Sequence, residues 1–255
     1  DDKSFISSLM SAVSQNPQLA QCDQASILSA ALTGASLGLQ CNPTLGQFYL
    51  VPFKDTNNNR TVATFIPGYK GYIQLALRTG QYRKLTVLGL KEGELLEYDP
   101  LEEKIRVDLI KDPAKREKTR TTDYYAMFEY LNGFKKMIVW SKEKMIEHAD
   151  KYSKAFSAQG GMVKTKFGEK KKVSYLDYEA GKYNKKDEWM YSSFWYKDFD
   201  GMACKTMLRQ LISKWGLLSI EMQKAYDADG GVIGDNGEVT FSDSERETEQ
   251  QPQQP

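Results

Sequence analysis

The spacing of apolar residues near the N-terminus of the chain predicts helices. One apolar stripe recurs at helical spacing, and it is formed by Phe5, Ile6, Leu9, Met10 and Val13. A second run follows Asp23, whose carboxylate can cap the first turn of a helix; its apolar positions are Ile27, Leu28, Ala31, Leu32 and Ala35. Gly38 is expected to end this helix, because glycine adopts the left-handed conformation without strain.

Short runs of aromatic and β-branched residues replace the helical spacing after Gly38 and predict a hairpin. The two runs are residues 47–53 and 60–66, and a segment rich in Asp and Asn separates them. Pro67-Gly68 then breaks the strand. The pattern of residues 69–79 predicts a short helix.

Strands are predicted again between Leu85 and Trp140. The strongest signal is a hairpin in which residues 124–131 and 135–140 flank Asn132-Gly133. This dipeptide is favoured by type I′ turns, which need a positive φ at both central residues.

The pattern then returns to helices. Ser141 can cap a helix that runs to about Lys151, whereas residues 153–186 have little periodicity and are interpreted as a loop. One or two helices are predicted over residues 189–226, with a buried face formed by Met202, Ala203, Leu208, Leu211, Ile212 and Trp215. Helices, then hairpins, then helices indicate an α+β fold with a central antiparallel sheet.

The distribution of charge divides the chain into a basic body and an acidic tail. The formal net charge is +1. The last residues, 231–255, hold six acidic residues against Arg246 alone, while residues 101–186 hold 21 Lys and Arg against 13 Asp and Glu. We expect a single domain over residues 1–230 and a disordered acidic tail over residues 231–255. A basic body favours a polyanionic ligand, although a solvated charged face would have the same composition.

Known catalytic arrangements are hard to find in this composition. His148 is the only histidine, the three cysteines are scattered, and no phosphate-binding loop of the P-loop type occurs. Asp99, Glu102 and Lys104 loosely imitate the carboxylates and lysine of metal-dependent nucleases, so a nuclease stays an alternative. We therefore expect a protein that is not an enzyme.

The cysteines and the lengths of the apolar runs indicate the cellular compartment. An odd number of scattered cysteines indicates reduced thiols. No apolar run is long enough to span a bilayer and no signal peptide is visible, so we expect a cytoplasmic protein without a membrane partner.

Basic residues lie beside aromatic residues and glycines in several segments, as single-strand binding without sequence preference requires. Lys104 and Arg106 would share one face of a strand, and Lys205 and Arg209 would share one face of a helix. The last two residues could equally form ordinary salt bridges. Tyr72, which follows a glycine-rich strand-to-helix junction, could equally lie in the core.

Three blocks of the sequence resemble the RecT family of phage single-strand annealing proteins. The first block contains Gly38-Leu39-Gln40-Cys41-Asn42-Pro43 and continues to Phe53. The second runs from Gly68-Tyr69-Lys70-Gly71-Tyr72-Ile73 to Gln81, and the third from Trp189 through Met202-Ala203-Cys204-Lys205-Thr206 to Glu221. The blocks resemble in particular the RecT proteins of Gram-positive phages or prophages. The lysine-rich residues 153–186 depart from the pattern expected of this family.

This resemblance implies an ATP-independent protein, more distantly related to Redβ, that anneals complementary strands in a bacterial host cell. It implies homo-oligomers in the form of rings or helical filaments, and single-stranded DNA and annealed duplex DNA as ligands. A phage 5′–3′ exonuclease and the host single-strand binding protein are the implied protein partners. No cofactor is expected to be required, and Mg²⁺ is expected only to modulate DNA binding.

Candidate DNA-binding residues come from the family blocks and from charge. The blocks supply Lys70, Tyr72, Arg78, Lys205 and Arg209, whereas charge and strand phase add Lys104, Arg106 and Arg120; weaker candidates for lining a groove are Arg60, Phe65 and Trp189. A passive single-strand coating protein would use the same residues. An assembly or adaptor protein with an incidental basic face is a third possibility.

Overall fold

The computed structural model describes residues 2–55, 59–153, 155–165, 168–229, 232–233 and 239–240. The helices are α1 (Asp2–Gln15), α2 (Gln24–Ser36), α3 (Tyr69–Arg78), α4 (Pro113–Lys118), α5 (Lys142–Tyr152), α6 (Tyr175–Glu179), α7 (Phe194–Lys197), α8 (Phe199–Trp215) and α9 (Ile220–Ala228). The strands are β1 (Phe48–Asp55), β2 (Arg60–Pro67), β3 (Tyr82–Lys91), β4 (Leu95–Asp99), β5 (Lys104–Val107), β6 (Thr121–Tyr130), β7 (Lys135–Ser141), β8 (Gly161–Thr165), β9 (Gly168–Lys172), β10 (Val232–Ile233) and β11 (Val239–Thr240). Two 3₁₀ helices cover Leu19–Gln21 and Lys185–Tyr191. The α+β fold class is confirmed.

The chain divides into two compact units. The first comprises residues 1–142 and 200–240, and the second comprises residues 143–199 and 241–255. The predicted single domain over residues 1–230 stays a prediction. The predicted acidic tail, residues 231–255, lies outside the described residues apart from β10 and β11, which pair antiparallel.

A hairpin packed on a helix forms one part of the first unit. Strands β1 and β2 pair antiparallel, as predicted, and α2 begins at the N-cap Asp23, whose carboxylate accepts a hydrogen bond from the Ser26 N–H. The Ser26 hydroxyl in turn accepts a hydrogen bond from the Ala63 N–H of β2 at 2.9 Å. The ring of Phe48 fits against Gly34 of α2, where any Cβ would lie 2.3 Å from the ring.

The three-stranded antiparallel sheet, in the order β3-β6-β7, forms the other part of the first unit. Alternate residues of β6 are fully buried, as expected of a strand with one face in a core: these are Tyr124, Ala126 and Phe128. The Tyr124 hydroxyl donates to Asp200, in the first turn of α8, at 2.6 Å. This bond fixes the sheet to the start of the long C-terminal helix.

The turn between β6 and β7 is not the predicted type I′ turn. Gly133 has a φ of 88°, but Asn132 does not have a positive φ. The Gly133 N–H donates to the Tyr130 carbonyl at 3.0 Å, and the Tyr130 N–H donates to the Phe134 carbonyl at 2.8 Å. These bonds enclose a three-residue connection, in which a type I turn is followed by a left-handed glycine. Asn-Gly suits both turns, so the sequence did not distinguish them.

The interpretation of residues 153–186 as a loop is wrong. Within the second unit, β8 and β9 form an antiparallel hairpin, and α6 follows it. The buried rings of Phe156, Tyr175 and Tyr196 lie within 4.9–6.2 Å of one another. Because the hairpin itself is mostly exposed and rich in lysine, it lacks the alternation from which strands are recognised.

Some residues of the apolar faces identified in the sequence lie at the surface. Ile6 and Met10 of α1 are exposed, and so is Trp215 at the end of α8. The Lys136 ammonium lies 5.2 Å from the centre of the Trp215 ring, an interaction that partly covers the indole. Within the described residues no helix is both long and apolar enough to cross a membrane.

Candidate nucleic-acid interface

Three predicted DNA-binding side chains converge on Asp229, the residue that follows α9. The Lys205 ammonium donates to one carboxylate oxygen at 2.7 Å. Arg209 and the Tyr72 hydroxyl donate to the other at 3.1 and 3.0 Å. The Asp229 side chain is only 4% exposed, and that of Lys205 10%. Burial, and then the negative charge of Asp229, raise the pKa of Tyr72 well above its ordinary value, so its hydroxyl remains a donor.

This buried cluster joins α3, α8 and α9. Turning Lys205 or Arg209 towards a phosphate would leave the Asp229 carboxylate buried with less compensation, and unpaired buried charges cost several kcal/mol. Of the two roles that the sequence leaves open for Lys205 and Arg209, the structure contains the salt bridge. Their binding to DNA stays a prediction.

Arg78 also has an internal partner. Its guanidinium donates to the carbonyl oxygens of Leu37 and Gly38 at 2.5 and 2.6 Å. The last carbonyl groups of a helix have no partner within the helix, so Arg78 caps the C-terminal end of α2. Gly38 has a φ of 63°, and a Cβ there would lie 2.8 Å from the guanidinium. Glycine at this position therefore leaves room for the arginine.

Lys70 lies in the first turn of α3 and is exposed. Among the residues that the structure describes, no carboxylate lies within ion-pair distance of its ammonium. The N-cap of α3 is Gly68, which has no side chain to occupy the first N–H groups of the helix. Such helix N-termini carry a partial positive charge that favours anions. Lys70 therefore adds a full charge to a helix end of the same sign.

Gly68 and Gly71 permit the close packing that positions this helix end. A Cβ on Gly68 would lie 2.2 Å from the carbonyl oxygen of Gly46, and one on Gly71 would lie 2.1 Å from that of Gln47. Both contacts are with backbone, which cannot rotate away. The N-terminal turn of α3 can therefore lie against residues 46–47 only with glycine at these positions.

Four predicted cations of the first unit are exposed and form surface ion pairs. Lys104 and Arg106 alternate with less exposed residues along β5, as predicted, so both lie on its outer face. The four pairs are Arg60–Asp55 at 3.4 Å, Lys104–Glu102 at 3.2 Å, Arg106–Glu97 at 3.8 Å and Arg120–Glu92 at 3.1 Å. Both partners are exposed in each pair except Arg60–Asp55, where the Asp55 side chain is 16% exposed; exposed pairs contribute roughly 0–1 kcal/mol to stability. A phosphate can therefore replace the carboxylate at little cost.

Two predicted aromatic contacts lie in the core. Phe65 is fully buried, with its ring 5.2 Å from that of Phe48. Tyr72 is fully buried and lies 5.0 Å from the ring of Tyr226. Neither ring presents a face on which a base could stack. Phe65 and Tyr72 therefore pack the core of the first unit.

The sequence analysis missed a buried ion pair in the first unit. Glu94 accepts hydrogen bonds from Arg116 at 2.7 Å and from the N–H groups of Lys91 and Ile110. Burial raises the pKa of Glu94, but these three hydrogen bonds and the charge of Arg116 outweigh burial and lower the pKa overall. A carboxylate in the turn between β3 and β4 carries no local signal of burial, because its partner Arg116 lies 22 residues away.

The second unit contains Trp189, the remaining candidate. Its indole is 54% exposed on the 3₁₀ helix Lys185–Tyr191. The Lys170 ammonium lies 5.9 Å from the centre of the indole. Lys172, two residues further along β9, is buried 4.4 Å from the ring centre of Tyr196. Burial lowers the pKa of Lys172 to about 8. This unit therefore presents both an exposed aromatic ring with a lysine beside it and a buried lysine.

The residues of the nuclease alternative serve the β4–β5 turn. The Asp99 carboxylate accepts hydrogen bonds from the N–H groups of Leu101 and Glu102 at 2.9 and 3.2 Å, and Glu102 pairs with Lys104. Within the described ranges, no group of three His, Cys, Asp or Glu residues is placed to hold a metal ion. His148 lies 4.6 Å from the ring of Tyr152.

Comparison with known proteins gives a consistent result. The model of the RecT family matches residues 3–250. Protein YqaK of Bacillus subtilis, described as uncharacterized, is 36% identical over 221 residues, which cover 87% of this chain and 62% of that protein. Protein RecT of Escherichia coli is 29% identical over 216 residues, covering 84% and 65% respectively. The chain thus spans less than two thirds of the length of these two relatives.

Proposed function

The chain belongs to the RecT family, and on that premise we propose that it anneals single-stranded DNA without ATP during homologous recombination. Family membership supports a single-strand annealing role in recombination. In our proposal the protein binds one strand by its phosphate backbone, pairs it with a complementary strand and holds the new duplex in a basic groove. No covalent bond is made or broken, so the protein is not an enzyme.

The physical requirements of annealing are modest. Two strands of like charge must approach each other with their bases presented. Lys and Arg side chains that neutralise phosphates release counterions and lower the repulsion. Base pairing and stacking then supply about 1.4 kcal/mol per step. This energy source needs no nucleotide hydrolysis.

The observation that carries the proposal is the group of exchangeable surface ion pairs in the first unit. Lys104, Arg106 and Arg120 are exposed, and each is held by a carboxylate that a phosphate can replace. Such cations bind a backbone weakly and without sequence preference, and they release it again. Annealing needs this behaviour, because the strands must slide into register before they pair.

We assign different roles to the candidate residues. Lys70, at the N-terminal turn of α3, and the exposed cations Arg60, Lys104, Arg106 and Arg120 contact phosphates in this proposal. Lys205, Arg209 and Tyr72 support the interface from inside through Asp229, and Arg78 does so through the end of α2.

The proposal includes homo-oligomers and two protein partners. A ring or helical filament of this chain would align many subunits along one strand and raise the effective concentration for the second strand. A phage 5′–3′ exonuclease would supply the strand, and the host single-strand binding protein would cover it, in the bacterial cytoplasm. No cofactor is required in this scheme, and Mg²⁺ acts only by modulating DNA binding.

Salt dependence tests the backbone contacts. The logarithm of the affinity for a single strand falls with the logarithm of the salt concentration by about 0.7 for each phosphate contact. Replacing both Lys104 and Arg106 by Gln should reduce this slope, whereas the exchange Lys104→Arg with Arg106→Lys keeps both charges and should preserve it. An unchanged slope in the Gln variant would remove these two residues from the interface. Affinity independent of salt in the unaltered protein would contradict backbone binding itself.

A further inference from the structure

Trp189 is a large aromatic side chain that the second unit leaves in water. Its indole is 54% exposed, whereas Trp195 in the same unit is buried. The Lys170 ammonium lies 5.9 Å from the centre of the indole and is held there by an ion pair with Asp187. One cation therefore lies beside the ring.

The geometry of the 3₁₀ helix Lys185–Tyr191 places a second cation on the same face. Side chains three residues apart lie one above the other in such a helix. Lys186 therefore lies on the face of Trp189, while Asp187 lies on the face of the buried Met190. Lys186 is exposed and, among the described residues, has no carboxylate within ion-pair distance. Glu188, the neighbouring acid, is turned about 120° away from the indole.

This arrangement is rigidly supported. The Val173 N–H, which follows β9, donates to the hydroxyl of Tyr191 in the 3₁₀ helix at 2.9 Å. The Lys172 ammonium lies 5.5 Å from the ring centre of Tyr191 in the 3₁₀ helix and 4.4 Å from that of Tyr196 in α7. These contacts hold the end of β9, the strand that carries Lys170, against the 3₁₀ helix that carries Trp189.

We propose that Trp189 is a stacking platform for one unpaired base of single-stranded DNA, with Lys170 and Lys186 contacting the adjacent phosphates. An exposed ring flanked by cations meets both requirements of single-strand binding, a π-face for the base and positive charge for the backbone. A base within a duplex is already stacked on both faces, so the platform favours unpaired strands. This inference rests on the proposed function and adds a contact that captures the strand before pairing.

The test uses the full chain and a fluorescently labelled thirty-nucleotide dT strand. We compare the unaltered protein with Trp189→Ala, Trp189→Phe and the double variant Lys170→Gln with Lys186→Gln. Trp189→Ala should weaken binding about tenfold and leave the salt slope unchanged, and Trp189→Phe should recover much of the loss. The double variant should reduce the slope by about 0.7 for each lysine.

Matched controls separate these effects from general ones. Leu176→Ala removes an equally exposed apolar side chain of the same unit, and Lys197→Gln removes an exposed lysine; neither should change binding. Tryptophan emission, measured as the difference between the unaltered protein and Trp189→Phe, should be quenched by the strand.

Each part of the proposal fails on a different result. Binding by the unaltered protein without quenching of Trp189, or with equal affinity in Trp189→Ala, would overturn the platform alone. A slope reduced by Lys197→Gln as much as the double variant reduces it per lysine would overturn the lysine contacts. No binding of the strand by the unaltered protein at low salt would instead defeat the proposed function.

Discussion

The ammonium of Lys205 lies 2.7 Å from a carboxylate oxygen of Asp229, and both side chains are shielded from water. Lys205 belongs to the middle of α8, and Asp229 directly follows α9. Because Arg209 and Tyr72 bind the same carboxylate, Asp229 holds the end of α9 to α8 and α3. The residues of the RecT-like blocks thus include some that hold helices of the first unit together.

Removal of this carboxylate should destabilise the protein more than removal of a surface carboxylate. Asp229→Ala leaves Lys205 and Arg209 largely buried without their counter-charge, so we expect the free energy of unfolding to fall by about 3 kcal/mol. Urea denaturation measures this change. Glu102→Ala, which breaks the exposed pair with Lys104, serves as the control and should change stability by less than about 1 kcal/mol. Equal effects of the two variants would contradict a structural role for Asp229.

A methyl group at Gly71 should disturb the start of α3. The Cβ of Gly71→Ala would lie 2.1 Å from the Gln47 carbonyl oxygen, so the helix must move away from residues 46–47. We expect a loss of about 3 kcal/mol in the free energy of unfolding. Gln74→Ala, an exposed position in the same helix, should change it by less than about 0.5 kcal/mol. A stable Gly71→Ala variant in thermal unfolding would show that this contact is not tight.

Acid should weaken the protein through Glu94. The pKa of its carboxyl is lower in the folded chain than the ordinary value of 4.5. Its stabilising effect is therefore complete above that ordinary value and is lost as the pH falls through the lowered pKa. Glu94→Gln should be less stable than the unaltered protein at pH 7, and the difference should shrink as the pH falls below about 4.5. Urea unfolding over this range, with the exposed Glu97→Gln as control, measures the effect; a difference independent of pH would refute it.

A rise in pH should stabilise the protein through Lys172. Burial lowers its pKa to about 8 from an ordinary 10.5, so between these values the unfolded chain binds more protons, and stability rises with pH. Relative to Lys172→Met, the unaltered protein should gain about 2 kcal/mol between pH 7.5 and pH 9.5. Tyr196, whose ring lies beside the Lys172 ammonium, has its pKa raised to about 12 and stays protonated over this range. Relative to the exposed control Lys171→Met, the unaltered protein should show no such gain. The same pH dependence in the unaltered protein and in Lys172→Met would contradict the burial of Lys172.

Local chemistry explains the parts of the fold that the sequence could predict. The cap at Asp23, the β1–β2 hairpin and the helix after Pro67-Gly68 depend on neighbouring residues, and all three occur in the structure. The β8–β9 hairpin was missed because an exposed, lysine-rich strand has no apolar face to reveal its period. Its support comes from aromatic residues elsewhere in the second unit.

The candidate site was less predictable, because its decisive pairings are not local. Nothing in the sequence around Arg78 indicates that it caps a helix that ends about 40 residues earlier. Lys205 and Arg209 share a helix face, as predicted. The acid that forms ion pairs with both of them, Asp229, lies beyond the following helix. The common outer face of Lys104 and Arg106 was predictable from the period of a strand, and both residues belong to the proposed interface.

The most direct test of the account follows two complementary DNA strands as they pair in the absence of ATP. Duplex formation is recorded by fluorescence transfer between labelled strands, with and without the protein, at low salt. We predict that the protein accelerates pairing, and that the Gln variant of Lys104 and Arg106 accelerates it less. Binding of single strands with pairing slowed or unchanged would identify a passive coating protein and contradict the annealing function.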